Sequence, residues 1–242
     1  MNKIDINFDF RQDSKCGDPD TDSHKLYYAH TLLWNKVLPC GKIYDVEITS
    51  NKYGRLLIKN NLGDNLSSDR MCPHFDGKYK GKFDGCLSDM EREELKYKVR
   101  TIGGHIIFPA HNKNGFTVNQ ARGISRLICD RFDLTLECIR RFYNEEKSPL
   151  YDALLRYNDF FDLFVDFTGY VDFFMLQDFI DDEEQINFSI PFDNFTRPPL
   201  PQTVCEYKKY TTHTIDLINR RNKRILESLY KIEDINISVC NK

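Results

Sequence analysis

No stretch of this sequence approaches the roughly 18 consecutive apolar residues a membrane-spanning helix needs. Its opening, MNKIDINFDFRQD, has neither the basic nor the apolar block of a secretory signal. A cytoplasmic protein with no membrane partner is therefore expected. The eight cysteines, at 16, 40, 72, 86, 129, 138, 205 and 240, include no CxxC pair. They read as scattered reduced thiols rather than a disulfide framework or a structural zinc site. Cys72 and His74 would make half a metal site with nothing nearby to complete it, so no metal is expected. Also missing are a Walker loop, a dinucleotide fingerprint, an HExxH helix and a nucleophile elbow, and no cofactor is identifiable. Charge of one sign is not in excess either: 34 Lys and Arg face 37 Asp and Glu. Any attraction to nucleic acid would have to come from a local patch. Without repeats, low-complexity tracts or a long linker, residues 1–242 read as a single domain.

What the chain does have is aromatic bulk. Its 18 Phe and 13 Tyr, within a 40% hydrophobic composition, supply a core and argue against disorder. The expected fold class is α+β, with a small, mainly antiparallel sheet from the N-terminal half covered by a helical C-terminal half. Strand-like runs Lys3–Phe10, Ile43–Thr49 and Arg55–Lys59 alternate with turn chemistry in 1–100, around one helix near Asp22–Asn35. The Gly- and Lys-rich stretch Phe75–Cys86 reads as an exposed loop. In 101–242, a strand Gly104–Pro109 precedes a helix announced by the capping box Thr117-x-x-Gln120 and continuing to Tyr143. Helices over Pro149–Phe167 and from Tyr170 to Phe179, broken at Thr168–Gly169, come next. A strand-like Ile186–Phe192 and a long helix from Thr203 to Ile232 complete the set. Asp152, Asp159, Asp162 and Asp166 share one face of the Pro149 helix and read as a solvated row.

Three polar residues fall on otherwise apolar helical faces. Arg131 lies among Ile124, Ile128, Leu134, Cys138 and Phe142; the other charges of that segment, Asp133 included, occupy the opposite arc. Asp172 sits among Phe173, Leu176 and Phe179. Asn222, flanked by Arg221, interrupts the stripe Ile215, Ile218, Ile225, Leu229. A buried cation, carboxylate and amide on three helices suggest a shared cluster with Arg131 paired to Asp172. Such a cluster either fixes helix register or floors a pocket for a phosphate- or carboxylate-bearing small molecule. The start of the Thr117 helix, with Asn119 and Arg122, offers free N–H groups to an anion, or is an ordinary turn. His105 reads as a core histidine or as a further pocket residue. An alternative working surface is the 75–86 loop with the basic C-terminal helix (Lys208, Lys209, Arg220, Lys223, Arg224), contacting protein or RNA.

The segments IGGHIIFP (Ile102–Pro109), NQARG (Asn119–Gly123), DRFDLTLECIRRFY (Asp130–Tyr143), SPLYDALLRYNDFFDLF and GYVDFFMLQD (Gly169–Asp178) resemble an uncharacterised family of bacterial proteins, a domain of unknown function. The resemblance spans nearly the whole chain. It implies a single-domain cytoplasmic bacterial protein and brings no activity or catalytic residue with it.

Overall fold

The computed structural model of the protein describes residues 4–72, 83, 85–111 and 113–240, with side chains as far as residue 230. Most of the expected 75–86 loop, and His74, lie outside the described residues. The chain begins with turns and a 3-10 turn at Phe10–Asp13, not with the strand expected at Lys3–Phe10. Asp9 explains the difference, since its carboxylate accepts from its own neighbour Arg11 N at 3.0 Å and closes the backbone into a turn. Helices α1 (Pro19–Asp22) and α2 (His24–Trp34) follow, the second capped by the Ser23 hydroxyl.

Strands β1 (Lys36–Val37) and β2 (Ile43–Tyr44) form a small hairpin sheet. Strands β3 (Val46–Ser50), β4 (Leu56–Asn60) and β5 (Asn65–Arg70) make an antiparallel meander. After α3 (Asp89–Lys98) and a 3-10 turn at Ile102–Gly104, β6 (His105–Pro109) joins antiparallel to β5. β5 escaped sequence reading because NLSSDR lacks the apolar alternation of a strand. Its Ser67 and Ser68 are buried all the same, each meeting a polar partner across the sheet face.

Register decides what each face presents. Ser68 lies opposite Ile107 and Arg70 opposite His105, so these four side chains share one face; Ser67 and Asp69, opposite Phe108 and Ile106, share the other. α1 and α2 cover the first face, and α4 (Val118–Ile124) covers the second. The sheet is thus covered on both sides, one of them by helices of the N-terminal half.

The helix expected over 117–143 is two helices. The Thr117–Gln120 capping box forms as read, but α4 stops at Ile124 and α5 runs Phe132–Tyr143. Cys129 (φ 50°) and Asp130 (φ 61°) turn the chain between them. The segment Pro149–Phe167 is likewise broken into α6 (Tyr151–Leu155), α7 (Asn158–Phe161) and a 3-10 turn at Asp162–Phe164. Its four aspartates are exposed, as expected. The next break falls at Val165 (φ 74°), and Asp166 caps α8 (Phe167–Phe174), which ends at the left-handed Met175. Within Ile186–Phe192 the only strand-type pairing is the isolated bridge of Ile186 to Ile180. Finally α9 (Val204–Cys240) packs Ile218 and Ile225 into the core. Its close approach needs a glycine: a Cβ on Gly103 would lie 2.6 Å from Asn222 Oδ1 and 2.7 Å from the Ile218 carbonyl.

Candidate functional site

Arg131 is buried, 2% exposed, but as the N-cap residue of α5 rather than in mid-helix. Its Nε and Nη2 donate to Asp133 Oδ1 and Oδ2 at 3.0 and 2.5 Å, and Nη1 donates to the Pro199 carbonyl at 2.5 Å. Asp133 also accepts from Leu134 N and Ser189 N. Burial opposes both charges, yet their attraction prevails and holds the Asp133 pKa below, and the Arg131 pKa above, the usual value. The expected partner, Asp172, is elsewhere: it is exposed on α8 and accepts from Gln177 Nε2 at 2.8 Å. Ending α8 at Phe174 removes the apolar neighbours that a longer helix would have laid around Asp172. Asp133, expected on the solvated arc, took its place because the 125–131 turn resets the helical phase.

The remaining helical candidates also hold the framework. Arg122 is fully buried, donating through Nε to Thr135 Oγ1, through Nη1 to Asp69, and through Nη2 to the carbonyls of Asp130, Arg70 and Met71. Asn119 donates to Ser67 Oγ at 3.0 Å, leaving its buried Oδ1 without a protein partner. Asn222, as its stripe required, is buried; it accepts from Gly103 N at 2.8 Å and donates to Thr101 Oγ1 at 2.9 Å. Beside it, Arg221 is fully buried and receives no hydrogen-bonding carboxylate among the described residues. It donates instead to the carbonyls of Phe174, Gly103 and His105, and burial pulls its pKa down to about 10.

His105 sits in a different environment, on the sheet face under α1 and α2, where the hydrogen bonds can be followed donor by donor. The Trp34 indole can only donate, so its 3.0 Å bond makes His30 Nδ1 an acceptor. Burial holds the His30 pKa well below 6.5, so the ring is neutral with its proton on Nε2, 3.1 Å from Ser68 Oγ. The Ser68 hydroxyl is then left to donate to Asp20. His105 Nδ1, 2.9 Å from Asp20 Oδ1, donates to the same carboxylate. Burial disfavours a charged Asp20, but the charge of His105 and these hydrogen bonds drive its pKa below the usual carboxylate range. His105 Nε2 is left buried without a hydrogen-bond partner.

Two arginines stand at this corner. Arg70 is directly across the strand pair from His105, half-buried, and its guanidinium makes no hydrogen bond or ion pair with any described residue. Arg100, just ahead of β6, is 7% exposed; its Nε and Nη1 have no hydrogen-bond partner, and Nη1 lies 3.7 Å from Asp18 Oδ1. Burial and the like charge of Arg70 lower the Arg100 pKa to about 10, against the pull of Asp20 and Asp18. Phe10 is tied in from above, its N–H donating to the Arg100 carbonyl at 3.1 Å and its ring edge-on to His105. Asp18, about half exposed, marks the side open to solvent. The corner therefore gathers unspent cationic donors around an Asp–His pair, which is the chemistry of oxyanion recognition. Sequence reading found His105 but not Arg70, Arg100, Asp20 or Ser68, because the β5–β6 pairing that assembles them had no apolar signature.

A concavity of about 610 Å³ is bordered by Ile124, Leu127, Cys129 and the stretch Thr196–Leu200. Pro199 in its wall accepts from Arg131, which lies behind that wall rather than in the opening. On α9 three of the surface bases are matched by acids: Arg220 by Asp216 at 2.7 Å, Lys223 by Glu227 at 3.8 Å, and Arg224 by Asp178 at 3.0 Å.

Fold and site together define an α+β protein whose twice-covered sheet carries a buried Asp–His pair beside two unspent arginines. The chain belongs to DUF6994, a family of unknown function, whose model matches residues 4–225. That span takes in the whole sheet, the His105 corner and the Arg221–Asn222 clasp. Comparison with curated proteins and with solved structures gives no match.

Proposed function

We propose that this protein binds an anionic small molecule, bearing phosphate or carboxylate, at the corner formed by Arg70, Arg100 and His105. The observation that carries this reading is Arg100: a buried guanidinium whose Nε and Nη1 have no hydrogen-bond partner. Buried guanidinium donors without acceptors are costly even beside the Asp18 charge 3.7 Å away, and a bound oxyanion would supply the missing acceptors. In this reading Arg122, Arg131 and Asn222 hold the framework away from the ligand, and Asn119 ties α4 to the opposite sheet face. The setting that suits it is the cytoplasm, which scattered cysteines without a CxxC pair favour. The rival surface, protein or RNA contact through α9, has less support because Arg220, Lys223 and Arg224 are paired with acids.

A thermal-shift screen of phosphate, nucleotides, sugar phosphates and dicarboxylates tests the proposal. A ligand at about one hundred times its Kd adds about 2.7 kcal/mol of stability. Wild type is expected to be stabilised by at least one of these anions, and Arg100→Gln and Arg70→Gln to lose that stabilisation while remaining folded. Absence of any anion-dependent shift at millimolar concentration would overturn the proposal.

A further inference from the structure

We infer that the concavity between the end of α4 and the Thr196–Leu200 stretch is a docking groove for an extended segment of a partner protein, one carrying aliphatic side chains and a carboxylate. It lies on the α4 side of the sheet and does not depend on the anion site under α1 and α2. One wall is the last residue of α4 and the turn after it. Ile124 is 58% and Leu127 44% exposed, although both are large aliphatic residues. The turn that presents them is fixed: Leu127 N donates to Ser125 Oγ at 3.3 Å, and Cys129 N to the Ser125 carbonyl at 2.9 Å. Neighbouring exposed aliphatics held in place mark an interaction surface, as single scattered ones do not.

The other wall is where Arg131 acts. Its Nη1 reaches the Pro199 carbonyl from behind at 2.5 Å. Arg197 N donates to Asp193 Oδ1 at 2.8 Å, and Arg197 Nη2 to Glu206 Oε1 at 2.8 Å. A stretch without helix or strand is thus braced along its length, and a wall ordered beforehand costs less to bind.

The chemistry of the walls selects the occupant. Ile124 and Leu127 on one side, with Pro198 and Leu200 on the other, suit aliphatic side chains. The lining holds no acid, and Arg197 is spent on Glu206. Arg126 is exposed, and its guanidinium makes no hydrogen bond or ion pair with any described residue. One free cation beside an apolar groove calls for one carboxylate. Pro198 and Pro199 have no N–H, and the carbonyls of Arg197 and Pro198 accept no hydrogen bond from a described residue. That wall therefore offers backbone acceptors, which the N–H groups of a peptide satisfy. A fatty acid matches the apolar sides and the charge but has no such donors.

Selection of a phage-displayed random peptide library on the immobilised full chain tests the inference. Enriched peptides are expected to combine Leu, Ile, Val or Pro with an Asp or Glu. In fluorescence anisotropy the best of them should bind Leu127→Asp, Ile124→Asp and Arg126→Glu at least about tenfold more weakly than wild type. All three positions are exposed, so these variants should keep the wild-type melting temperature. Arg100→Gln should bind the peptide as wild type does, which separates this groove from the anion site. Enrichment no greater than on Leu127→Asp, or peptides that bind Arg126→Glu as tightly as wild type, would overturn the inference. So would dodecanoate binding that Leu127→Asp abolishes while no peptide binds, or a dimer in sedimentation velocity that Leu127→Asp dissociates, since either would assign the groove to another occupant.

Discussion

A guanidinium buried in this protein is read by counting what satisfies it. Arg131 and Arg221 are both spent on protein acceptors, so their truncation acts on stability. Arg221→Met strips donors from three buried carbonyls and should lower the unfolding free energy by about 3 kcal/mol or more in urea titrations. A loss below about 1 kcal/mol would show that those carbonyls find other donors. The Arg131–Asp133 pair is open to a double-mutant cycle, with an expected coupling above about 1 kcal/mol; Arg131 with Asp172 should be additive within about 0.5 kcal/mol. Sequence periodicity read Arg131 and Asn222 correctly as buried, since an isolated polar residue on an apolar stripe must enter the core with it. It misread Asp172 and Asp133, whose facing depends on where a helix begins and ends.

At the scale of elements, the decisive features are the left-handed residues that cut long amphipathic segments into short helices. Asp130, at φ 61°, joins α4 to α5 and offers its carbonyl to Arg122. Glycine adopts that conformation freely and a β-branched residue does not. Asp130→Val should therefore be about 1–2 kcal/mol less stable than Asp130→Gly in chemical denaturation, and equal stabilities would contradict the assigned turn. Helix starts were legible wherever a cap announced them, as at Thr117. These breaks were not, because Cys129, Val165 and Met175 carry no turn signal of their own and take φ above zero under tertiary constraint, while the lone turn former Asp130 falls in phase with the charged arc of a helical pattern. β5 was hidden for a related reason: its buried serines are stabilised by partners remote in sequence, which no local pattern records.

For the whole molecule, the same buried polar groups set the response to pH. His30 has its pKa depressed by burial, so the unfolded chain binds a proton that the folded one refuses. Stability is expected to fall as pH drops below about 6.5, by up to about 1.4 kcal/mol per unit from this residue. His30→Gln should flatten that slope in pH-resolved urea titrations; an unchanged slope would assign it to other groups. Asp20 and Asp133 have depressed pKa values, and the stability they contribute is present above about pH 4 and lost on further acidification. Asp133→Asn should show a shallower acid limb than wild type.

The central claim is that the Arg70, Arg100 and His105 corner is an anion site. It is tested most directly by a crystal structure of the protein grown or soaked with selenate, located by its anomalous scattering. The account predicts a peak at the corner, with selenate oxygens within about 3 Å of Arg100 Nε or Nη1 and of His105 Nε2. Selenate only at other surfaces, with the Arg100 guanidinium fully bonded to protein groups, would contradict it.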